Sequence, residues 1–568
     1  MAADFQVVGT NDDAPFELKI HRGEGMALLA MNWRDGEPPD DFVGFAIEYR
    51  EPRGKRYYPL KNRLAFRKLD GEFNPNALST LLSPIQKFRW VHFPRNAELP
   101  GDFTYRVTPL FMDQAGSLSY GEAQLADIQL ARETHAGKIN VAFTRGFVSS
   151  QAFVDRYEKY GPISELLPDR AKDGLDFEPT HPKAAEAYKW MGFEARSAII
   201  EALDKAVADE TASVRFIAFD LNLPEIVTRL EQLGERLRII IDDSKDHGAP
   251  DDAETAAETR LKASAGAHNV LRQHMGDLQH NKMMVIDGKE KLVVCGSTNY
   301  SWRGFYIQSN NAVLLRGAHP VKVFSAAFDQ YWDGSATFRS SASAEWIPLD
   351  LGGPDLQVSF SPHGDNNAKL HEIADDMESA KSSVLYSLAF LNLIKKGGVR
   401  AAVEKLTGRD DIFMYGISDR KVGGLDVQKP DGTFAPVYAE ALKKDVPAPF
   451  SKEPAGGGGP RMHHKFVVLD FDTPDARVYT GSYNFSNPAD TSNGENLLLI
   501  RDRRIVTAYM VEALRIFDHY HYRVSQQNAL IANKELVLKR PPGEGERAWW
   551  YEDYNDARKI KDRELFSN

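Results

Sequence analysis

Across the first 135 residues, apolar and polar positions alternate in short runs, at 26–33, 42–49, 88–93 and 103–111, broken by clusters of Gly, Pro and Asp. Alternation with period two, punctuated in this way, predicts the antiparallel strands of a β-sandwich. From residue 136 the pattern changes. Residues 138–143, 214–219, 236–241 and 283–286 are nearly continuous apolar runs, and between them 186–208 and 224–233 carry apolar residues near helical spacing. Strands alternating with helices predict an α/β layer structure over 136–345. The acidic, alanine-rich stretch 242–265 reads as a helix or mobile segment beside it.

The same order returns in residues 346–535: a strand at 358–363, a helix at 368–382, a strand at 383–390, a helix at 399–406 and a strand at 411–416. The expected fold class is therefore α/β, two similar halves behind a small all-β sandwich, with a C-terminal tail at 536–568. Pro430, Pro447, Pro449 and the run Gly456 to Pro460 mark a hinge, lid or plain linker within the second half. No Lys-Ser/Thr pair follows these glycines, so they do not make a nucleotide P-loop. The tail carries Trp549-Trp550-Tyr551, which predicts packing back onto a domain.

Length changes this picture little, since 568 residues suit three or four domains. No run approaches the roughly 18 apolar residues of a membrane span. The N-terminus has no basic start leading into an apolar stretch, and a single cysteine, Cys295, rules out an intrachain disulfide framework. The chain reads as cytoplasmic. A net charge of −11 supplies no global attraction to nucleic acid or to an anionic membrane.

Chemistry enters with a sentence stated twice. His280-Asn281-Lys282 leads to Asp287 and then Gly296-Ser297-Thr298-Asn299; His463-His464-Lys465 leads to Asp470 and then Gly481-Ser482-Tyr483-Asn484. Histidine and lysine two apart at the start of a strand share one face, so they can address one phosphate. Lysine offers charge to its oxygens, Ser297, Asn299, Ser482 and Asn484 offer neutral donors, and each histidine remains as nucleophile or proton carrier. His463 is the one in register with His280, and His464 is expected on the opposite face. A metal site at His463-His464 is disfavoured, because adjacent strand positions diverge. Trp302, Phe305 and Tyr306 read as core in preference to a stacking platform.

The duplicated His-x-Lys-x4-Asp with Gly-Ser-x-Asn resembles the phospholipase D superfamily over about residues 138–530. That resemblance implies two pseudo-symmetric halves, mixed sheets flanked by helices, facing each other across one cleft that is complete within one chain. It implies cofactor-free chemistry without metal, through a phosphohistidine. His280 would be the nucleophile and His463 the acid and base, with Lys282, Lys465, Asn299 and Asn484 holding phosphate oxygens, Ser297 and Ser482 supporting them, and Asp287 and Asp470 organising the motifs. Fourteen residues beyond Gly481 stands Glu495, where relatives often keep an acid that orients a histidine; fourteen beyond Gly296 stands Asn310. A carboxylate favours an imidazolium and an amide only orients, so this asymmetry is expected to divide the labour of the histidines. A phospholipid substrate is favoured, a nuclease or DNA-end phosphodiesterase is the alternative, and an inactive binding module ranks last because both His-Lys pairs are intact. The N-terminal region, with Leu99-Pro100-Gly101 before Tyr105 and Trp33 as a core tryptophan, resembles a fibronectin type III domain, either a docking module for a protein partner or a spacer.

Overall fold

The computed structural model describes residues 5–68, 78–130, 133–146, 153, 156–245, 247–334, 337–394, 397–418, 437–438, 462–531 and 536–568. The proposed hinge at 430–460 lies almost wholly outside them.

The N-terminal region is all β. Gln6–Val8, Phe16–Arg22, Ala27–Trp33 and Arg89–His92 form one antiparallel sheet; Tyr58–Pro59, Phe42–Arg50, Asp102–Met112 and Leu118–Tyr120 form a second, with Gln124–Gln129 also paired to Asp102–Met112. Facing side chains such as Phe16 and Phe45, with ring centroids 5.0 Å apart, fill the space between the sheets. Tyr105 is buried, and its hydroxyl meets the His92 ring at 3.0 Å, where a tyrosine corner would use a backbone group. Trp33 is only half-buried and packs on Phe42.

Two α/β units follow. In the first the sheet order is Ile139–Phe143, Asn311–Arg316, Lys291–Gly296, Met283–Asp287, Ser213–Ala218, Leu237–Ile241, Val270–Arg272. In the second it is Ile347–Pro348, Asp355–Ser361, Glu495–Arg501, Arg477–Gly481, Lys465–Leu469, Ser383–Leu388, Phe413–Ser418, Val437–Tyr438. Apart from the added edge strand Ile347–Pro348 the two orders correspond strand for strand. Both sheets are mixed: Ser213–Ala218 and Ser383–Leu388 each pair parallel on one side and antiparallel to a motif strand on the other. The central strands are buried almost throughout, as expected where helices cover both faces. Helices Ala184–Ala208, Pro224–Leu233 and Ala253–Ala265 cover the first sheet, so the 242–265 stretch is helical in its second part. Helix Ala318–Trp332 links the halves, and the long helix Arg503–Ile531 packs on the second sheet and on the sandwich strand Phe16–Arg22.

Candidate active site

The two motif lysines sit at the start of the central strands, Lys282 just before Met283–Asp287 and Lys465 as the first residue of Lys465–Leu469, with each histidine two residues earlier. The next strand in each half ends on the glycine of Gly-Ser-x-Asn. Gly296 has φ of 131° and Gly481 of 139°, and a Cβ there would stand 2.6 Å from the Asn311 carbonyl oxygen and 2.3 Å from that of Asn496. Only glycine fits both the conformation and the close approach of the neighbouring strand. That neighbour begins with Asn311 in one half and Glu495 in the other.

Backbone contacts stitch the two motifs together. Gln279 bridges Gly494 and Ser309 bridges Met462; Gly494 N–H donates to Leu278 at 2.9 Å and His463 N–H to Ser309 at 3.1 Å. Each histidine consequently finds its partner in the opposite half. His280 Nδ1 lies 2.8 and 2.9 Å from the two Glu495 carboxylate oxygens, and His463 Nδ1 lies 2.8 Å from Asn310 Oδ1. Asn310 donates its amide to the Gly304 carbonyl and accepts at Oδ1 from the Ser297 hydroxyl at 3.0 Å. Its Oδ1 is therefore an acceptor for His463 as well, which puts a proton on His463 Nδ1. With Nδ1–H committed in both rings, the lone pair of each lies on Nε2, and that of His463 meets Lys465 Nζ at 3.1 Å.

His280, Lys282, His463 and Lys465 are all buried. Burial drives the His280 imidazole down to about 4, with Glu495 pulling up and Lys282 pushing down. His463 is held well below the ordinary range by burial, then by Lys465 and Lys282. Burial also draws Lys282 down to about 7 against the pull of Glu495, Asp220 and Asp242, and Lys465 is lowered too, by burial and by Lys282. Two neutral imidazoles beside two ammonium groups that burial destabilises form a site that gains from admitting an anion.

The remaining motif residues divide. Ser297 spends its hydroxyl hydrogen on Asn310 and accepts from Asn311 N–H at 3.0 Å; Ser482 accepts from Asn496 N–H at 3.0 Å. The serines thus brace the strands that carry the histidine partners, and the Ser297 hydroxyl hydrogen is directed at Asn310. Asn299 donates one amide hydrogen to Asp220 at 2.7 Å, while the side-chain oxygens of Asn299 and Asn484 are buried without a protein partner. Asp470 is buried and accepts from the backbone N–H groups of Lys381, Ser382 and Ser383 and from Arg477. Asp287, expected to act alike, is partly exposed and pairs with Lys291 at the rim of its hairpin. His464 points away from the cleft and bonds Glu512 at 2.9 Å, and Trp302, Phe305 and Tyr306 are core residues.

Sequence reasoning missed Asp220 and His247. His247 bridges Asp220 at 3.1 Å and Asp242 at 2.9 Å; burial lowers its basicity, but these two bonds prevail and raise it to about 11. Burial raises Asp220, yet the bond and charge of His247, with Arg303 and Lys282, hold it at about 2. Asp220, His247 and Glu254 are close enough to hold a metal ion. Both His247 nitrogens are donors to carboxylates, however, so its imidazolium already takes a cation's place among these acids and leaves no lone pair to coordinate. The repeat does not mark Asp220, whose matching position in the second copy is Phe390, and the stretch matching His247 lies outside the described residues.

The family model described as "Cardiolipin synthase, PLD-like domain" matches residues 199–332 and 394–517, one segment in each half. The two segments together make up a little under half of the chain, and each is similar to a phospholipase D-like domain. A mitochondrial cardiolipin hydrolase of Xenopus tropicalis is 44% identical over 59 residues, 10% of this chain and 26% of the relative. A phospholipase D of Rickettsia prowazekii is 40% identical over 48 residues, 8% of this chain and 22% of the relative. The chain thus spans about a quarter of the length of these curated relatives. Among solved structures, a phosphatidylserine synthase of Haemophilus influenzae aligns over 66% of this chain and 93% of its own, at 12% identity and a TM-score of 0.38.

Proposed function

We propose that the protein is a phospholipid phosphodiesterase working through a covalent phosphohistidine, and that the crossed histidine partners carry this reading. His280 Nε2 attacks phosphorus while the bond to the leaving oxygen breaks. His463, protonated once the anionic ester is bound, gives its Nε2 proton to that oxygen. It then takes a proton from water, whose oxygen displaces phosphorus from His280. Lys282 and Lys465 meet the non-bridging oxygens, and Glu495 accepts Nδ1–H from the His280 ring as it becomes positively charged, a preorganised form of charge stabilisation. Asn310 offers His463 only a neutral acceptor, so the carboxylate sits with the nucleophile.

Lipid is favoured by the lip of the cleft. Phe390 lies edge-on to His463 with ring centroids 5.8 Å apart, and three residues further on Leu393 is 65% exposed. The described helices include none long and apolar enough to cross a membrane, so lipid would be met at a surface. On this reading the N-terminal sandwich is a fibronectin type III-like module that docks or braces the catalytic halves.

The test is incubation with vesicles of phosphatidylcholine or cardiolipin and, separately, with plasmid DNA, all in chelator. Wild type is expected to release headgroup or cleave cardiolipin, and His280→Ala to do neither. DNA cleavage with intact lipid would assign the nuclease activity instead, and activity abolished by chelator would remove the phosphohistidine route. In single-turnover trapping, Glu495→Gln is expected to alter intermediate formation and breakdown unequally.

A further inference from the structure

The hydrogen bonds around His247 form a chain with two ends, both in the first half-site. At one end Asp220 Oδ2 accepts from Asn299 Nδ2 at 2.7 Å and from the Ser301 hydroxyl at 3.4 Å. At the other, Asp242 Oδ1 accepts at 2.7 Å from the backbone N–H of Gln279, the residue before His280. His247 joins the two carboxylates, and the Phe219 ring lies between the imidazoles of His247 and His280, with centroids 4.4 and 4.7 Å away. The same ring lies 4.6 Å from Lys282 Nζ. Nucleophile, lysine and motif asparagine are therefore held by one cluster.

The second half has no such acid at the corresponding position. Val214 pairs with Ile286, one residue before Asp287, and Val384 pairs with Leu469, one before Asp470. Six residues beyond these two valines stand Asp220 and Phe390 respectively.

We infer that Asp220 and His247 are positioning residues of the first half-site: through Asn299 and through Asp242 and Gln279 they fix the phosphate-facing amide and the His280 backbone relative to each other. Neither residue needs to touch the reacting atoms. The effect is orientation, so it belongs to the transition state more than to ground-state binding. The charges facing His247 are Asp220, Asp242 and Glu254, with Arg303 and Lys282 acting on Asp220. Replacing Asp220 by an amide keeps one acceptor oxygen and puts an N–H donor in place of the other, so His247 and Asn299 can no longer both donate to this side chain. The inference rests on the phosphodiesterase reading of the site.

The experiment compares wild type, Asp220→Asn, His247→Gln, Asn299→Ala and the double variant Asp220→Asn/Asn299→Ala on bis(p-nitrophenyl) phosphate, with folding checked by circular dichroism. Asp220→Asn and His247→Gln are expected to lower kcat by about 10- to 100-fold with KM within about threefold. In the Asn299→Ala background, Asp220→Asn is expected to cost less than it does in wild type, because the contact through Asn299 is already gone and only the route through His247 and Asp242 remains. Turnover unchanged in Asp220→Asn, or losses that multiply in the double variant, would overturn the inference. Nitrogen-15 spectra supply an arm that needs no turnover: Asp220→Asn should shift the Asn299 side-chain amide and the His280 ring, and unshifted resonances would refute the clamp. Absence of turnover by the wild type on this ester, on lipid and on DNA would instead overturn the reading of the site, while the spectra still decide the clamp.

Discussion

At the scale of single residues the site is governed by burial. Its histidines are neutral when the cleft is empty, and its lysines are held below their ordinary range. On the proposed mechanism the pH dependence of kcat/KM, which reports the free enzyme, has a definite sign. Below about 4 a proton on His280 removes the attacking lone pair, so kcat/KM falls as pH drops through that value. As pH rises, the free enzyme must take up the proton that His463, held well below its ordinary range, goes on to donate, so kcat/KM falls. Through about 7 Lys282 also loses the proton that binds a phosphate oxygen, so the fall is steeper above about 7. Bound phosphodiester restores that proton, and the upper limb of kcat should lie at higher pH than that of kcat/KM. Coincident upper limbs in the two profiles would contradict it. Much of this residue set is legible in the sequence, because a repeated motif announces itself. What hides is whatever breaks the repeat: Asp220 faces Phe390 across the pseudo-symmetry, and a search for matched pairs passes over both. The crossing of partners, His280 with Glu495 and His463 with Asn310, depends on how the halves meet, and spacing along one chain carries no such information.

At the scale of elements, the two hairpins that follow the motifs look alike in sequence and differ in what covers their ends. Asp470, with φ of 51°, turns the chain back so that its carboxylate caps the start of strand Ser383–Leu388 and meets Arg477. Asp287 ends its strand in the open. Asp470→Ala leaves buried N–H donors and a guanidinium without their acceptor and should cost about 3 kcal/mol. Asp287→Ala removes only a surface ion pair and should stay within about 0.5 kcal/mol. Urea unfolding of the two variants separates these outcomes, and equal losses would show that the exposure of Asp287 is misjudged. The strands themselves were readable from their apolar runs. The role of each motif aspartate was not, since identical letters at identical spacing receive different neighbours from the loops that follow.

At the scale of the whole molecule, the C-terminal tail bridges the sandwich and the second half. Trp550 enters the sandwich core, Trp549 stacks on Phe88 with centroids 5.2 Å apart, and Phe566 stacks on Phe471 at 5.3 Å while standing edge-on to Phe413. Arg89 of the sandwich completes the junction by pairing with Asp562 of the tail at 2.8 Å and with Asp518 of the long helix. Three adjacent aromatic residues signalled that the tail packs somewhere; they could not say that it packs on two units at once. Met26, Leu28 and Ala30 of the sandwich also share a continuous core with both α/β halves, so the boundaries suggested by composition do not mark independent folding units. Phe566→Ala opens a cavity at this junction and should cost about 3–5 kcal/mol, the range for emptying a buried aromatic site. Because the core is continuous, the loss should appear as one cooperative transition moved to lower denaturant, with kcat per folded molecule unchanged. A separate early transition confined to the sandwich, followed by fluorescence of its tryptophans, would show instead that the tail merely tethers an autonomous domain.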